Sequence, residues 1–304
     1  MILPKPLLPG SRVRMIGISG CLHTEHVQEE AEACRQRLEA LGFQVEMDRT
    51  CIRQTGYLSG EDIERADAMN RAFLDDDVDG VWCMKGGWGV NRMLPYVDFL
   101  AVREHPKAFI GYSDITSMHL AIQRDAGFVT FHGPMGTSST WSDEVRASLL
   151  HALSGHPDAV FQKRKLECIR GGSGEGEIIG GNLSLLASSL GTRYAPDTKG
   201  KILFIEEIGE KVYRIDEFLC HLYLPGKLTE LAGLVFGGFT NCSNEYPESG
   251  FELEEILAHW AGKAGCPCAC GLQCGHIAEN YTLPLGLRYR LDADAGVLCL
   301  SERN

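Results

Sequence analysis

Short apolar runs alternate with amphipathic helical patterns through the first half of the chain, and this alternation predicts a parallel sheet flanked by helices. Residues 13–18 are predicted as the first strand. Residues 25–41 place apolar side chains at spacings of three and four, and Gly42 follows as a stop signal, so a helix with one buried face is expected there. A second helix is predicted to begin with a capping box of Ser59 and Asp62, and its sheet-facing side chains are Ile63, Ala66 and Phe73.

Two further apolar strands end in loops that contain residues suited to a catalytic site. Residues 81–84 lead into Gly86 and Gly87, and residues 108–110 lead into the turn that contains Ser113. Because the carboxyl ends of parallel strands meet at one edge of a sheet, both loops are expected to border one crevice.

The pattern changes at residues 168–181, which are polar and rich in glycine and predict a linker. We therefore predict an amino-terminal domain over residues 1–167 and a carboxy-terminal domain over residues 182–304. The second domain is expected to contain strands at 202–205, 234–236, 266–270 and 297–300 and helices at 183–190, 213–222 and 251–261.

Composition agrees with two domains and narrows the possible partners. At 304 residues and 44% hydrophobic content, the chain exceeds the usual size of one core. The chain has 29 Lys and Arg and 41 Asp and Glu, which gives a net charge of −12, and its basic residues are scattered along the sequence. We therefore do not expect nucleic acid or anionic membranes as partners. The amino terminus shows no secretory signal, and the 12 cysteines are interpreted as reduced thiols in the cytoplasm.

Ser113 is the first candidate for catalysis. It stands at a strand–turn–helix junction, where a nucleophile would be exposed beside the N–H groups of a helix N-terminus. The alternative is that Ser113 only caps the helix. The second glycine of a Gly-x-Ser-x-Gly elbow is missing, so the α/β-hydrolase fold is not indicated.

A serine nucleophile needs a base and a carboxylate. His132 and His276 both follow apolar strands in predicted loops, and the pattern does not choose between them. Glu206 and Glu207 end the apolar strand at 202–205, where one is expected to point inward and the other away, unless both belong to a solvated strand end.

Two other patterns resemble binding sites for a nucleotide and for a metal ion, but neither predicts such a site. Residues 85–89 do not have the spacing of a phosphate-binding loop, but an N–H of Gly86 or Gly87 could join that of Asp114 in an oxyanion hole. The thiols of Cys266, Cys268 and Cys270 alternate along a predicted strand and are poorly arranged to close on one ion.

Taken together, these segments resemble the LD-carboxypeptidase family of serine peptidases, which includes the microcin-immunity peptidases. The resemblance spans nearly the whole chain and rests on motifs in a shared order: Lys5-Pro6-Leu7-Leu8-Pro9-Gly10-Ser11-Arg12-Val13, Gly56-Tyr57-Leu58-Ser59-Gly60, Arg65-Ala66, Gly86-Gly87-Trp88-Gly89, Arg92-Met93-Leu94-Pro95, Gly111-Tyr112-Ser113-Asp114, His132-Gly133-Pro134-Met135, Gly180-Gly181-Asn182-Leu183, Leu203-Phe204-Ile205-Glu206-Glu207, Tyr213-Arg214-Ile215-Asp216, Gly275-His276 and Leu283-Pro284-Leu285-Gly286.

The resemblance implies a fold and a triad. It implies an amino-terminal flavodoxin-like (Rossmann-like) domain that carries Ser113 as nucleophile, and a smaller β-rich α/β domain that carries Glu206 and His276, with the site at their interface. The base is then His276, and His132 becomes a wall of the site. The side chains expected to contact substrate are Lys85, Trp88, Tyr112, His132 and Asn182; Lys85 and Trp88 depart from the Arg and Tyr usual in the family.

The function implied is hydrolysis of the L,D-amide bond of a muropeptide, which releases terminal D-alanine during cell-wall recycling, by a homodimer without cofactor. One alternative keeps the triad but cleaves a peptidyl or aminoacyl nucleotide toxin, with Trp88 or Trp141 as an aromatic contact. A catalytically silent module that binds small peptides is the alternative from another class.

Overall fold

A computed structural model of the chain describes residues 1–155, 164–244, 248 and 250–301. The chain forms two compact units, of which one comprises Met1–Ala159 and Tyr281–Pro284, and the other Val160–Asn280 and Leu285–Asn304. Within the described ranges, every helix is too short or too polar to traverse a bilayer. All twelve cysteines are free thiols.

The first unit alternates strands and helices. In chain order its elements are β1 (Arg12–Ile16), α1 (Val27–Glu39), β2 (Gln44–Met47), α2 (Asp62–Leu74), β3 (Gly80–Cys83), α3 (Val90–Met93), α4 (Phe99–Glu104), β4 (Ala108–Gly111), α5 (Thr116–Asp125), β5 (Thr130–His132) and α6 (Asp143–Leu153). The strands pair in parallel in the order β2-β1-β3-β4-β5. Side chains of β3, β4 and β5 are buried on both faces, as parallel strands covered by helices require.

The second unit is built around a mixed sheet. Its elements are β6 (Glu167–Arg170), β7 (Ser173–Asn182), α7 (Leu183–Ser188), β8 (Ile202–Ile208), α8 (Val212–Tyr223), β9 (Gly233–Thr240), α9 (Leu253–Ala264), β10 (Cys268–Cys270), β12 (Arg288–Asp292) and β13 (Val297–Leu300); the intervening β11 (Leu283–Leu285) lies beside β5 in the first sheet. The order of the second sheet is β13-β12-β7-β8-β9-β10-β6, with a parallel centre and antiparallel edges.

These two architectures confirm the predicted fold class. The order 2-1-3-4-5 is that of flavodoxin-like sheets, in which the chain reverses its direction of winding between β1 and β3. Loops after β1, β3 and β4 therefore meet at the carboxyl edge of the first sheet. That edge carries Ser113 and the two glycines predicted to lie near it.

The glycine-dense segment 168–181 is not a linker, because most of it forms β6 and β7. Its glycines are needed for close packing between neighbouring strands. A Cβ at Gly174 would overlap the carbonyl oxygen of Ala232, and one at Gly180 would overlap that of Phe204. Glycine here therefore reflects close approach of backbones and not flexibility.

The start of α2 also differs from the prediction. The capping box consists of Glu61 and Glu64, whereas the hydroxyl of Ser59 donates to the carbonyl of Ser19. Ala66 and Phe73 are buried as predicted, but Ile63 is 58% exposed. Because a carboxylate can accept from the same backbone N–H groups as a serine hydroxyl, Glu61 serves as the N-cap, two residues after the predicted Ser59.

Candidate active site

Ser113 lies in a strained turn between β4 and α5. Its φ is +67°, a left-handed conformation that costs a non-glycine residue about 1–3 kcal/mol. A 3-10 turn, Ser113–Ile115, connects it to α5, whose N-cap position is Ile115. The N-cap position of α5 is therefore Ile115 and not Ser113, and the strained backbone of Ser113 is of the kind that clusters at functional sites.

The backbone beneath this turn is held by a buried histidine. Nε2 of His119 lies 2.9 Å from the carbonyl oxygen of Gly111, and burial lowers the pKa of His119 to about 4. The imidazole is therefore neutral near pH 7 and donates this hydrogen bond from Nε2. This contact fixes the end of β4 two residues before Ser113.

Gly86 lies directly against Ser113. A Cβ on Gly86 would be 2.9 Å from Cβ of Ser113 and 3.1 Å from its Oγ. No larger residue fits without displacing the hydroxyl, so glycine is required by the close approach of two loops. Gly87 has a φ of +125°, and its nearest neighbours are in the loop after β1, where Gly20 lies.

In the second unit, Glu206 and His276 form a hydrogen-bonded pair. Nδ1 of His276 lies 2.7 Å from Oε2 of Glu206, and the backbone N–H of His276 donates to the same oxygen at 3.1 Å. Glu206 is fully buried at a register shift in the pairing of β8 with β9. Since a carboxylate only accepts, Nδ1 carries the hydrogen and Nε2 is left with the lone pair that a general base needs.

The turn that presents His276 depends on Gly275. Its φ is +109°, and a Cβ there would lie 2.6 Å from Oε2 of Glu206. Its backbone N–H donates to Oδ1 of Asn280 at 2.9 Å, in a buried setting. Asn280 therefore supports the histidine turn, a role that the sequence did not reveal because Asn280 lies outside the motif Leu283-Pro284-Leu285-Gly286.

Glu207 points away from Glu206 and has a different role. Its carboxylate accepts from Nδ2 of Asn182 and from the backbone N–H of Ser184, each at 2.8 Å, at the start of α7. Burial raises the pKa of Glu207, and these hydrogen bonds oppose that effect. The two acids therefore diverge, as the alternation of strand side chains predicts.

Asn182 is the N-cap of α7. Its Oδ1 accepts from the N–H of Leu185 and the hydroxyl of Ser184, while its Nδ2 is bound to Glu207. It is almost fully buried. Its predicted contact with substrate stays a prediction.

The other predicted contacts lie around the nucleophile turn. His132 is fully buried and makes an edge contact with Tyr112, with the ring centroids 5.8 Å apart, and its predicted place in the wall of the site stays a prediction. Nζ of Lys85 donates to the carbonyl of Cys21 at 2.8 Å. Trp88 is 48% exposed and makes an edge contact with Tyr57, a residue that the sequence analysis did not single out.

Family models match segments in both units of the chain. The family model described as the LD-carboxypeptidase N-terminal domain matches residues 13–133, and the model for the C-terminal domain matches residues 175–291. The chain belongs to the LD-carboxypeptidase family. It is accordingly a serine-type peptidase, a hydrolase.

Individual relatives cover most of the chain. A Bacillus subtilis protein named "Probable murein peptide carboxypeptidase" is 41% identical over 83% of this chain and 80% of its own length. The Escherichia coli "Microcin C7 self-immunity protein MccF" is 26% identical over 88% of this chain and 86% of its own. The crystal structure of muramoyltetrapeptide carboxypeptidase from Oxalobacter formigenes aligns with a TM-score of 0.83 and 27% identity, covering 95% of this chain and 97% of that one.

Proposed function

We propose that this chain is a serine carboxypeptidase in which Ser113, His276 and Glu206 form the catalytic triad. The observation that carries the proposal is the contact between Nδ1 of His276 and the buried carboxylate of Glu206, which is the relation of base to orienting acid in serine peptidases. The strained backbone of Ser113, on a turn lined by Gly86, supports its role as nucleophile.

The reaction proceeds in two steps. Oγ of Ser113 attacks the amide carbonyl while Nε2 of His276 takes its proton, and the N–H groups of Asp114 and of Gly86 or Gly87 stabilise the oxyanion. The imidazolium then protonates the leaving amine, the C–N bond breaks and an acyl-enzyme remains. Water, deprotonated by His276, hydrolyses the ester and restores the serine hydroxyl.

The substrate we propose is a muropeptide with a terminal D-alanine joined to the L-centre of a diamino acid. The names of the relatives from Bacillus subtilis and Oxalobacter formigenes support this class. Lys85, which immediately precedes Gly86 in the chain, also supports this class. Its ammonium group has further N–H donors besides the one that binds the carbonyl of Cys21. We propose that it binds the terminal carboxylate, with Trp88 and Tyr112 on the peptide.

Mass spectrometry of a muropeptide mixture before and after incubation tests this function. We expect tetrapeptides to lose one D-alanine with wild-type protein and to remain intact with Ser113→Ala. Unchanged tetrapeptides with the folded wild-type protein would exclude the substrate class, and full activity of Ser113→Ala would exclude the nucleophile.

A second candidate is cleavage of an aminoacyl nucleotide by the same triad. It is favoured by the similarity to the self-immunity protein and by the exposed aromatic pair of Trp88 and Tyr57, which offers a surface for stacking a base. A parallel assay with a muropeptide and an aminoacyl sulfamoyl adenylate distinguishes the two candidate functions. The carboxypeptidase proposal predicts the larger kcat/KM for the muropeptide, and the second candidate predicts the larger value for the adenylate.

We further propose that the protein acts in the cytoplasm as a homodimer, as the family resemblance implies. Cell fractionation and analytical ultracentrifugation test these two points. Periplasmic recovery or a monomer at assay concentration would contradict them.

A further inference from the structure

Residues 86–89, called here the glycine loop, are anchored by groups from three other segments. The carbonyl of Gly86 accepts from the N–H of Gly20 at 3.1 Å, and the carbonyl of Gly89 accepts from Nη1 of Arg65 at 2.9 Å. Just after the loop, the N–H of Val90 donates to Oδ2 of Asp114 at 3.0 Å. The path of this flexible sequence is therefore set by tertiary contacts.

Asp114 links the glycine loop to the nucleophile turn. Its carboxylate is fully buried, and the oxygen that accepts from Val90 also accepts from the hydroxyl of Ser19 at 2.6 Å. Burial raises the pKa of Asp114, while these two hydrogen bonds and the charge of Arg65 oppose the shift. Because Asp114 follows Ser113 in the chain, one residue connects the nucleophile to the loops after β1 and β3.

Arg65 is the second anchor. Its guanidinium is fully buried, pairs with Asp62, and donates to the carbonyl of Ile18 at 2.7 Å as well as to Gly89. Buried charges are weak evidence for stability, because desolvation offsets much of their attraction. A buried charge that joins two loops at the site is better explained by the geometry that it imposes.

We propose that Asp114 and Arg65 are positioning residues that hold the glycine loop against Ser113 and so preorganise the oxyanion donors. This inference rests on the proposed function, in which Ser113 is the nucleophile. Gly86 and Ser113 pack so closely that a methyl group does not fit between them. Any shift of the glycine loop therefore changes the distance between Gly86 and Ser113. Oxyanion donors are effective only when they are fixed before the charge develops.

The first test compares Asp114→Ala and Arg65→Met with Arg14→Met in the full chain. Arg14 is a matched control, since it is a largely buried arginine of the same unit that pairs with Glu46 and Asp75. A misplacement near 1 Å costs on the order of 10²-fold in rate, so kcat should fall about 100-fold in the first two variants. KM should change by less than about threefold, because substrate binding in the ground state is retained.

The conservative variant Asp114→Asn provides the rescue. Its amide oxygen can still accept from both Val90 and Ser19, so we expect kcat within about tenfold of wild type. Arg14→Met should lose stability and keep kcat. Equal losses of kcat in all three buried variants would identify a general folding effect and overturn the proposal.

The second test measures how fast a fluorophosphonate labels Ser113, which requires the oxyanion hole but no peptide. The labelling rate should fall in parallel with kcat, whereas peptide affinity measured by calorimetry should be equal for Ser113→Ala and Ser113→Ala/Asp114→Ala. Wild-type labelling rates in folded Asp114→Ala and Arg65→Met would overturn the proposal.

If Asp114→Ala does not fold, Ser19→Ala and Arg65→Met decide, and unchanged labelling in both contradicts the role of this network. If untreated wild-type protein releases no D-alanine although a separate sample is labelled at Ser113, only the proposed substrate is contradicted. A wild-type protein that is not labelled at Ser113 would overturn both proposals, because no activated serine would then need a positioned loop.

Discussion

His276 contacts one carboxylate oxygen of Glu206 twice, through Nδ1 at 2.7 Å and through its own backbone N–H at 3.1 Å. The two contacts fix both the position of the main chain and the rotation of the ring. A carboxylate held in this way orients the imidazole and stabilises its protonated form. The relation is local to the second unit and gives a direct test of the roles of the two adjacent acids.

Replacing Glu206 should remove activity, whereas replacing its neighbour should remove stability. In Glu206→Gln the amide favours the wrong tautomer of His276, and kcat should fall on the order of 10⁴-fold. Glu207→Gln instead weakens the start of α7, with a loss of about 1–3 kcal/mol in the free energy of unfolding and little change in kcat. Steady-state kinetics and urea unfolding of both variants provide the check, and equal kinetic losses would contradict the assignment.

The turn at Gly275 should not accept a side chain. In Gly275→Ala the new Cβ would lie 2.6 Å from Oε2 of Glu206, so His276 should lose its orientation and kcat should fall by 10²-fold or more, on the order expected for a misplaced catalytic group.

Gly271→Ala is the matched control for this substitution, because Gly271 also has a positive φ, +87°, but nothing lies within 4 Å of its Cβ position. Both variants carry backbone strain of about 1 kcal/mol or more, and only the first should lose activity. Comparable kcat values in the two variants would show that Gly275 matters for its backbone conformation alone.

Lys85 should recognise the terminal carboxylate of the substrate. In Lys85→Met, KM for a peptide with a free carboxyl terminus should rise about tenfold or more, since a charge-assisted hydrogen bond contributes about 1.5–3 kcal/mol. KM for the matching C-terminal amide should barely change. Equal changes for the two peptides would place the lysine away from the carboxylate.

His119 should make stability depend on pH. Its pKa is lowered from 6.5 to about 4 by burial, so the unfolded chain takes up the proton at a higher pH than the folded chain. The stability from the neutral imidazole is complete above pH 6.5 and is lost as the pH falls toward 4, by about 3 kcal/mol in total.

His119→Gln keeps an N–H donor for Gly111 and does not titrate. Between pH 7 and pH 4, its free energy of unfolding should therefore fall less than that of the wild type in urea titrations. Parallel pH profiles would show that His119 is not the group responsible.

Much of the fold follows from local patterns in the sequence. The run Val297–Leu300 is a strand as predicted, and α1 begins two residues later than its periodicity suggested, because helix ends depend on capping. The glycines of β7 were predicted to belong to a linker. Glycine is required there by close contacts with residues far along the chain, such as the contact of Gly180 with Phe204, and the local sequence does not reveal such contacts.

The site was only partly predictable. The strand–turn–helix pattern indicated Ser113 as a candidate nucleophile, which stays a prediction, and alternation along β8 predicted that Glu206 and Glu207 diverge. Which acid faces a histidine depends on the register shift beside Glu206 and on the turn at Gly275, which are tertiary features. The cap role of Asn182 and the burial of Arg65 were hidden for the same reason.

The proposed mechanism depends on activation of Ser113 by His276. This activation can be measured by intact-mass and peptide mass spectrometry of the protein treated with a fluorophosphonate. One adduct should form on Ser113 in the wild type, none in Ser113→Ala, and the rate should fall at least about 10³-fold in His276→Ala. Adducts on another residue, or equally fast labelling without His276, would contradict the account.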